Sequence, residues 1–286
     1  MPHRNPGTHR TMVGDITLTA LNDGMFDAGT GVLVGIDPAE AERLEVAAFR
    51  TLPPRITISC FLVEIGDKKI MIDAGSANAF GPAHGFSLAA LTSLGVAPAD
   101  ISTILVTHAH IDHVSGLITD DGAAYFPNAE LVINAAETDF WLNADIAAAA
   151  PEAAKSSFDL AARCLAPYKD RTRTLKHGGA AMQGVMLQHL PGHTPGHSGW
   201  IIASGSDSLL VWGDVVHFPG IQFANPEAGM VFDTDADLAR ASRRKTFDMA
   251  ATDRLRVAGM HLDFPCFGHV AKAAEGYAFV PDVWMA

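Results

Sequence analysis

The sequence predicts an α/β fold of two sheets, each covered by helices, in one domain spanning residues 1–286. Three observations lead there. Short apolar runs alternate with helix-spaced segments in both halves of the chain. No internal repeat or low-complexity linker divides it. Histidines and aspartates stand directly after the apolar runs, where a sheet leaves its strand ends and loops free to carry a site.

In the first half, Ile16–Leu21 reads as a strand. Thr57–Ile65 and Lys69–Ile72 read as two strands joined by a turn at Gly66-Asp67. Ser87–Leu94 has helical spacing and stops at Gly95. Ile101–Val106 and Leu131–Ile133 are short buried strands. In the second half, Glu152–Leu165 reads as a helix. Val185–Leu190, Trp200–Ala203 and Ser208–Trp212 read as strands. Asp235–Ala250 reads as a helix capped around Thr234, and Arg256–Gly259 as the last strand. The segments Gly24–Pro54 and Trp141–Pro167 have no shape that the sequence fixes, apart from the helix inside the second.

Composition sets limits. Apolar residues make up 48% and charged residues 18%, enough to bury a sizeable core. No run of roughly 18 apolar residues suggests a membrane span. The net charge of −12 argues against a nucleic-acid partner. The one cationic cluster, Arg240–Arg243–Arg244–Lys245, reads as a solvated helix face with acidic partners. The first residues carry some positive charge but no apolar stretch follows, so the expected location is cytoplasmic. Residues from about 1 to 14 are expected to form a flexible terminus. Cys60, Cys164 and Cys266 are odd in number and widely spaced, which is no disulfide framework.

The chemistry concentrates in Thr107-His-Ala-His-Ile-Asp-His113. Its three histidines and an aspartate follow a buried strand and precede a helix expected at Val114–Leu117. Imidazole and carboxylate suit zinc and its first-row neighbours. A polar loop holding histidines for solubility explains one such residue, but not this spacing. Three more strand ends each deliver a candidate: His193 after Val185–Leu190, Asp214 after Ser208–Trp212, and His261 after Arg256–Gly259. His269 competes with His261 for the last place, but His261 directly follows an apolar run. His84, His177 and His189 read as surface or satisfied core residues, and His3 and His9 as part of the terminus.

The order His-x-His-x-Asp-His, Gly-His, Gly-Asp and a late His resembles the metallo-β-lactamase superfamily. That resemblance implies a four-layer αββα sandwich with two divalent metal ions on the sheet edges. It implies that His108, His110 and His193 hold one ion, that Asp112, His113 and His261 hold the second, and that Asp214 bridges them. Zinc is the default, and manganese, cobalt or iron suits the same ligands. Asp73, in Ile70-Met-Ile-Asp-Ala-Gly75, matches the aspartate that supports a ligand histidine. His197 matches a structural histidine and is not counted as a ligand.

A closer resemblance runs from about Asp15 to Trp284. Its segments include Ala20-Leu-Asn-Asp-Gly24, Ala79-Phe-Gly-Pro82, Asp139-Phe-Trp141 and His261-Leu-Asp-Phe-Pro265. Together they are similar to the methyl parathion hydrolases and their relatives that open N-acyl-homoserine lactones. The resemblance implies a hydroxide shared by the two ions as nucleophile, with Asp112 shuttling a proton to the leaving group. In the smaller lactonases a tyrosine three residues after the bridging aspartate binds the substrate carbonyl. Here that position is His217, which either donates the same hydrogen bond or simply packs and bonds a backbone carbonyl. Phe80, Trp141 and Phe158 match aromatic positions of the substrate pocket.

The expected function is therefore hydrolysis of a small neutral ester, first a lactone of the N-acyl-homoserine type, with a phosphotriester also accommodated. An aryl organophosphate as main substrate, a glutathione thioester, and an oxidoreductase that oxidises persulfides at a single iron are the rival readings. A small-molecule substrate is expected and no nucleic-acid or membrane partner; a homodimer follows from the resemblance alone.

Overall fold

A computed structural model describes residues 7–283. Strands β1 (Thr8–Val13) and β2 (Ile16–Asp27) form a hairpin, followed by the short β3 (Leu33–Val34) and helix α1 (Pro38–Ala47). Strands β4 (Arg55–Ile65) and β5 (Lys68–Ile72) lead to α2 (Phe86–Ser93) and β6 (Ile101–Leu105). Helix α3 (Ile111–Val114), strand β7 (Glu130–Asn134) and helices α4 (Ala135–Trp141), α5 (Ala144–Ala149) and α6 (Glu152–Leu165) follow. Then come β8 (Thr172–Leu175), β9 (Ala180–Met182), β10 (Val185–His189), β11 (Ser198–Ser204) and β12 (Asp207–Val211). The chain ends with α7 (Pro219–Gln222), β13 (Gly229–Met230), α8 (Ala236–Thr252), β14 (Arg256–Ala258), β15 (Phe267–Lys272) and β16 (Tyr277–Pro281).

Two seven-stranded sheets result, in the orders β1-β2-β4-β5-β6-β7-β8 and β16-β15-β14-β12-β11-β10-β9. The first is parallel from β5 to β8, and the second has one parallel pair, β12 with β14. Strand β4 explains why the sheets lie face to face. Phe61 and Val63 point into the core shared with Trp200, Leu209 and Val211 of the second sheet. The alternate residues Cys60 and Leu62 point outward, to a cluster with Leu91 of α2 and Phe158 and Leu165 of α6. A strand apolar on both faces is one covered on both faces. On the other side, Phe247 and Ala250 of α8 cover the second sheet. These are the four layers of an αββα sandwich.

The helices follow their sequence signals. On α6 the buried residues Phe158, Ala161, Cys164 and Leu165 form one stripe at helical spacing. Asp235, not Thr234, caps α8 by accepting from Leu238 N. Asp37 caps α1 with Pro38 at its first position, in a segment left without shape from sequence.

Several expectations are corrected. Residues 8–13, assigned to a flexible terminus, form β1 and pair with β2 from Thr8↔Leu21 to Val13↔Ile16. His9 belongs to that strand, and His3 and Trp284 lie outside the described residues. Arg256–Ala258 is not the last strand, because β15 and β16 extend the sheet beyond it. The helix expected at Val114–Leu117 begins earlier, at Ile111, and residues Ser115–Leu117 tighten into a 3-10 turn. Arg243 is not solvated: it is 1% exposed, and its guanidinium donates to the carbonyls of Val215, Pro226 and Ala228. Arg240 and Arg244 do have acidic partners, Asp237 and Glu227. Among the described residues no helix is long and apolar enough to cross a membrane. The three cysteines are free and buried.

Candidate metal centre

The residues singled out from sequence sit at neighbouring strand ends on one edge of the sandwich. Asp73 follows β5 with φ of 56°, a left-handed conformation that turns the chain sharply. Its carboxylate accepts from Thr107 N at 2.8 Å and Thr107 Oγ1 at 2.6 Å, and so fixes the loop after β6. The same carboxylate accepts from His113 Nδ1 at 2.7 Å. Thr107 Oγ1, having given its proton to Asp73, lies 3.1 Å from His108 Nδ1 and accepts from it.

The second sheet delivers the other residues. His193 leaves the loop after β10, and its Nδ1 donates to Asp233 Oδ1 at 2.8 Å. His261 follows β14, and its Nδ1 donates to the carbonyl of Thr57 at 2.7 Å. Asp214 follows β12, and its backbone N–H donates to His197 Nε2 at 2.8 Å, while His197 Nδ1 donates to the carbonyl of Leu190 at 2.7 Å. Burial, then the nearby His193, pushes the His197 pKa down to about 3, as suits a neutral ring that must accept at Nε2. Gly213 permits this contact. Its φ is +60°, and a Cβ there stands 2.5 Å from His197 Nε2. His197 thus holds the loop in place.

Two clusters emerge. His108, His110, His193 and Asp214 form one; Asp112, His113 and His261 form the other; within each, the potential ligand atoms lie within 4.8 Å of one another. In the first, His110 Nδ1 lies 3.1 Å from His108 Nε2 and 2.9 Å from His193 Nε2. Asp214 joins the clusters: Oδ2 is 3.3 Å from His193 Nε2 and 3.1 Å from His261 Nε2, and Oδ1 is 3.2 Å from His113 Nε2. Asp112 Oδ2 stands 3.6 Å from His113 Nε2 and 3.5 Å from His261 Nε2.

This donor set fits divalent cations. In His108, His113, His193 and His261 the Nδ1 faces an outer acceptor, so a neutral ring that donates there turns its Nε2 lone pair inward. Lone pairs and carboxylate oxygens packed at about 3 Å repel one another unless a positive charge lies among them. His113 Nε2 and Asp214 Oδ1 are both buried with no hydrogen-bond partner among the described residues, the open valences that a ligand supplies. Titration follows the same charges. Burial opposes ionisation of Asp112, but the facing His113 and His261 outweigh it and hold the carboxyl below its usual range. Burial, reinforced by the neighbouring His113, holds His108 neutral.

His217 lies beside both clusters. Its Nε2 is 3.1 Å from Asp214 Oδ2, and its ring stacks on His261 at 4.9 Å. The imidazole therefore bonds a carboxylate and not a backbone carbonyl, and burial first of all pushes its pKa down to about 4. With Asp214 and His261 it makes a third group of closely spaced donors.

A cavity of about 1110 Å³ opens over these residues, lined by His110, Asp112, His193, Asp214, His217 and His261 at its floor. Phe80, Trp141 and Phe158 all line it. Phe26, Phe140, Ile146 and Phe232 do so as well and carried no separate signal in the sequence. No Lys or Arg lines the cavity among the described residues. His269, the rival for the last ligand place, lies elsewhere, 3.5 Å from Asp282 and 43% exposed.

Two supporting carboxylates escaped the sequence reading. Asp233, which holds His193, stands in Val231-Phe-Asp233 with no motif around it. Glu137 is fully buried and accepts from Ala109 N, Trp141 Nε1, Thr194 Oγ1 and Gly196 N. An acidic residue in the first turn of a helix is so common that only its burial distinguishes it.

Residues 54–261 match the family model of the metallo-β-lactamase superfamily, and the chain belongs to that superfamily. It is a hydrolytic enzyme with lactonase homologues. An N-acyl homoserine lactonase of Bacillus cereus is 24% identical over 248 residues, 79% of this chain and 86% of that protein. One from Bacillus sp. is 25% identical over 194 residues, and the match spans 67% of this chain but only 65% of that protein's length. Among solved structures, hydrolase AbOPH of the β-lactamase superfamily superposes with a TM-score of 0.94 at 32% identity, covering 99% of this chain and 100% of that one. AidC, a dizinc quorum-quenching lactonase solved with its product N-hexanoyl-L-homoserine, has a TM-score of 0.92 at 29% identity, covering 98% and 99%.

Proposed function

We propose that the chain is a dinuclear metal-dependent lactonase that opens N-acyl-homoserine-type lactones, with neutral phosphotriesters as secondary substrates. The observation that carries this reading is a large, mostly apolar cavity, without a cationic residue, above two His/Asp clusters. The likeness to AidC, a dizinc lactonase, supports it.

His108, His110 and His193 would hold one ion and Asp112, His113 and His261 the other, with Asp214 within reach of both groups. Zinc is the first choice for this nitrogen-rich set. When bound, such a pair supplies Lewis acidity and makes hydroxide available near pH 7. The chain's own residues do the rest. Trp141, Phe158 and Phe80 take the apolar tail and exclude water around the ester. His217, whose Nε2 lies 3.1 Å from Asp214 Oδ2, would turn its Nε2–H from that carboxylate to the carbonyl oxygen as negative charge develops there. Asp112 lines the cavity floor as a carboxylate, takes the proton from the attacking water and returns it to the ring oxygen as the C–O bond breaks.

The rival readings use less of what the site offers. A glutathione thioester brings carboxylates and a phosphodiester a fixed negative charge, and neither meets a cation in the cavity wall. A single-iron oxidoreductase uses only one of the two clusters. An aryl phosphotriester is neutral and apolar, so it fits the same cavity, and it remains the second reading.

The test is zinc content measured beside hydrolysis of a long-chain N-acyl-homoserine lactone, methyl parathion and an acyl-glutathione. About two ions per chain with the lactone turned over fastest supports the proposal. Faster acyl-glutathione cleavage, or one iron with oxygen uptake, overturns it, and faster methyl parathion cleavage reverses the order of the two ester readings.

A further inference from the structure

We propose that Glu137 is the positioning residue of one half of the metal centre: it clamps the His108–His110 segment to the His193 segment and fixes Trp141 in the cavity wall. The inference rests on the reading of the two clusters as metal sites, and not on the choice of substrate.

Glu137 is 0% exposed in the first turn of α4, which starts where β7 ends. Each carboxylate oxygen reaches a different part of the site. Oε1 accepts from Ala109 N at 2.9 Å, between the two histidines of the first loop, and from Trp141 Nε1 at 2.6 Å. Oε2 accepts from Thr194 Oγ1 at 2.6 Å and Gly196 N at 3.0 Å, just after His193. The two backbone N–H groups and the indole N–H can only donate, so at least three of the four contacts need a carboxyl oxygen as acceptor. Burial comes first and raises the Glu137 pKa, and the four hydrogen bonds pull it part of the way back.

The contacts are built into the backbone. A Cβ on Gly196 stands 2.2 Å from Glu137 N, so the loop after His193 approaches α4 this closely only with glycine there. Trp141 in turn meets His110 edge-on, with ring centroids 5.5 Å apart. Glu137 therefore bonds the backbone between His108 and His110 and the loop just after His193, and none of its four bonds reaches α3, which carries Asp112 and His113, or the loop of His261. The second cluster depends on other supports, Asp73 for His113 and the Thr57 carbonyl for His261. The clamp is one-sided, and that asymmetry makes it testable.

Glu137→Gln keeps the shape but turns an amide NH₂ toward one donor pair. Metal-free protein is titrated with zinc against a chromophoric chelator, and far-UV circular dichroism checks the fold. Supports of this kind are typically worth about 10–100-fold in metal affinity. The wild type is expected to bind two zinc ions tightly, and the folded variant to keep one and weaken the other at least about tenfold. Asp73→Asn loosens His113 directly and His108 only through Thr107, so it is expected to weaken the second ion more than the first, the reverse of Glu137→Gln. If Glu137→Gln does not fold, Thr194→Val, which removes a single donor, carries the test with a smaller loss in the same ion. Trp141→Phe is expected to raise KM for the lactone while zinc binding stays at the wild-type level. Two ions bound by Glu137→Gln at wild-type affinity, or both weakened equally, overturns the proposal. A wild type that binds two zinc ions but opens no lactone sinks the lactonase reading and leaves this one standing; a wild type that binds none sinks both.

Discussion

The floor and the wall of the cavity are built on opposite principles. The floor is a set of polar groups at strand ends, and three of its histidines, buried to within a few per cent, are each tied to a named partner: His113 to Asp73, His193 to Asp233, His261 to the Thr57 carbonyl. The wall comes from α4, α5, α6 and loops, with apolar side chains such as Ile146 at 36%, Phe80 at 37% and Phe232 at 40% exposure. A floor so constrained fixes the reaction. A wall held mainly by nondirectional apolar contact selects the substrate and tolerates change. Substitutions in the floor should therefore alter metal binding and turnover, and those in the wall should move KM.

The largest effect is expected at Asp214, whose carboxylate lies within reach of both clusters. Asp214→Ala removes a shared ligand and leaves His113 Nε2 and His261 Nε2 without their carboxylate. The expected result is loss of one ion and of about 4 kcal/mol of transition-state stabilisation, roughly a thousandfold in rate. Metal analysis with lactone kinetics checks it, and a variant with full activity removes the two-ion mechanism altogether.

Asp233→Asn comes next. The amide keeps the size of the carboxylate but weakens its hold on His193 Nδ1–H. Metal affinity is expected to fall by about 10–100-fold with little change in KM. A chelator competition assay reads this, and unchanged affinity places Asp233 in the wall and not in the floor.

The floor was the part most legible in the sequence, because its chemistry is local. Four candidate ligands between His108 and His113 share one loop, and a strand end carries each of His193, Asp214 and His261. Of the supports only Asp73 was legible, through its motif; Glu137 and Asp233 were not, because they arrive from distant segments without one: Glu137 lies 28 residues from Ala109, and Asp233 lies 40 from His193. The same physics divides the fold. Strand β4 and helix α6 bury clean apolar patterns and were read almost to the residue. Strand β15, Phe267-Gly-His-Val-Ala-Lys272, mixes small and polar residues and is recognisable only through its pairing with β14 and β16. Wall aromatics such as Phe26 and Phe140 look like any core residue until the cavity appears beside them.

His217 stands where floor and wall meet, so His217→Phe sharpens the boundary. If its Nε2 serves the substrate, loss of one hydrogen bond of about 1–1.5 kcal/mol lowers kcat about tenfold, and metal content stays at two. If instead it shares a cation with Asp214 and His261, as their mutual spacing also permits, zinc binding weakens with the rate. Measuring both quantities on one preparation separates the two roles.

The smallest effect is expected at Phe80. Its ring stacks on Phe26, with centroids 5.2 Å apart, meets His84 edge-on at 5.5 Å, and is 37% exposed. Phe80→Ala removes these ring contacts at the cavity rim, worth about 1 kcal/mol. KM for a long-chain lactone should rise about fivefold, while metal content and kcat stay unchanged. A short-chain lactone should feel less of it, because its tail ends before the rim. Comparing the two chain lengths in one variant tests the division itself: a fall in kcat that is equal for both means that the rim helps to set the floor, and that the wall is less independent of the chemistry than its exposed, loosely tied side chains imply.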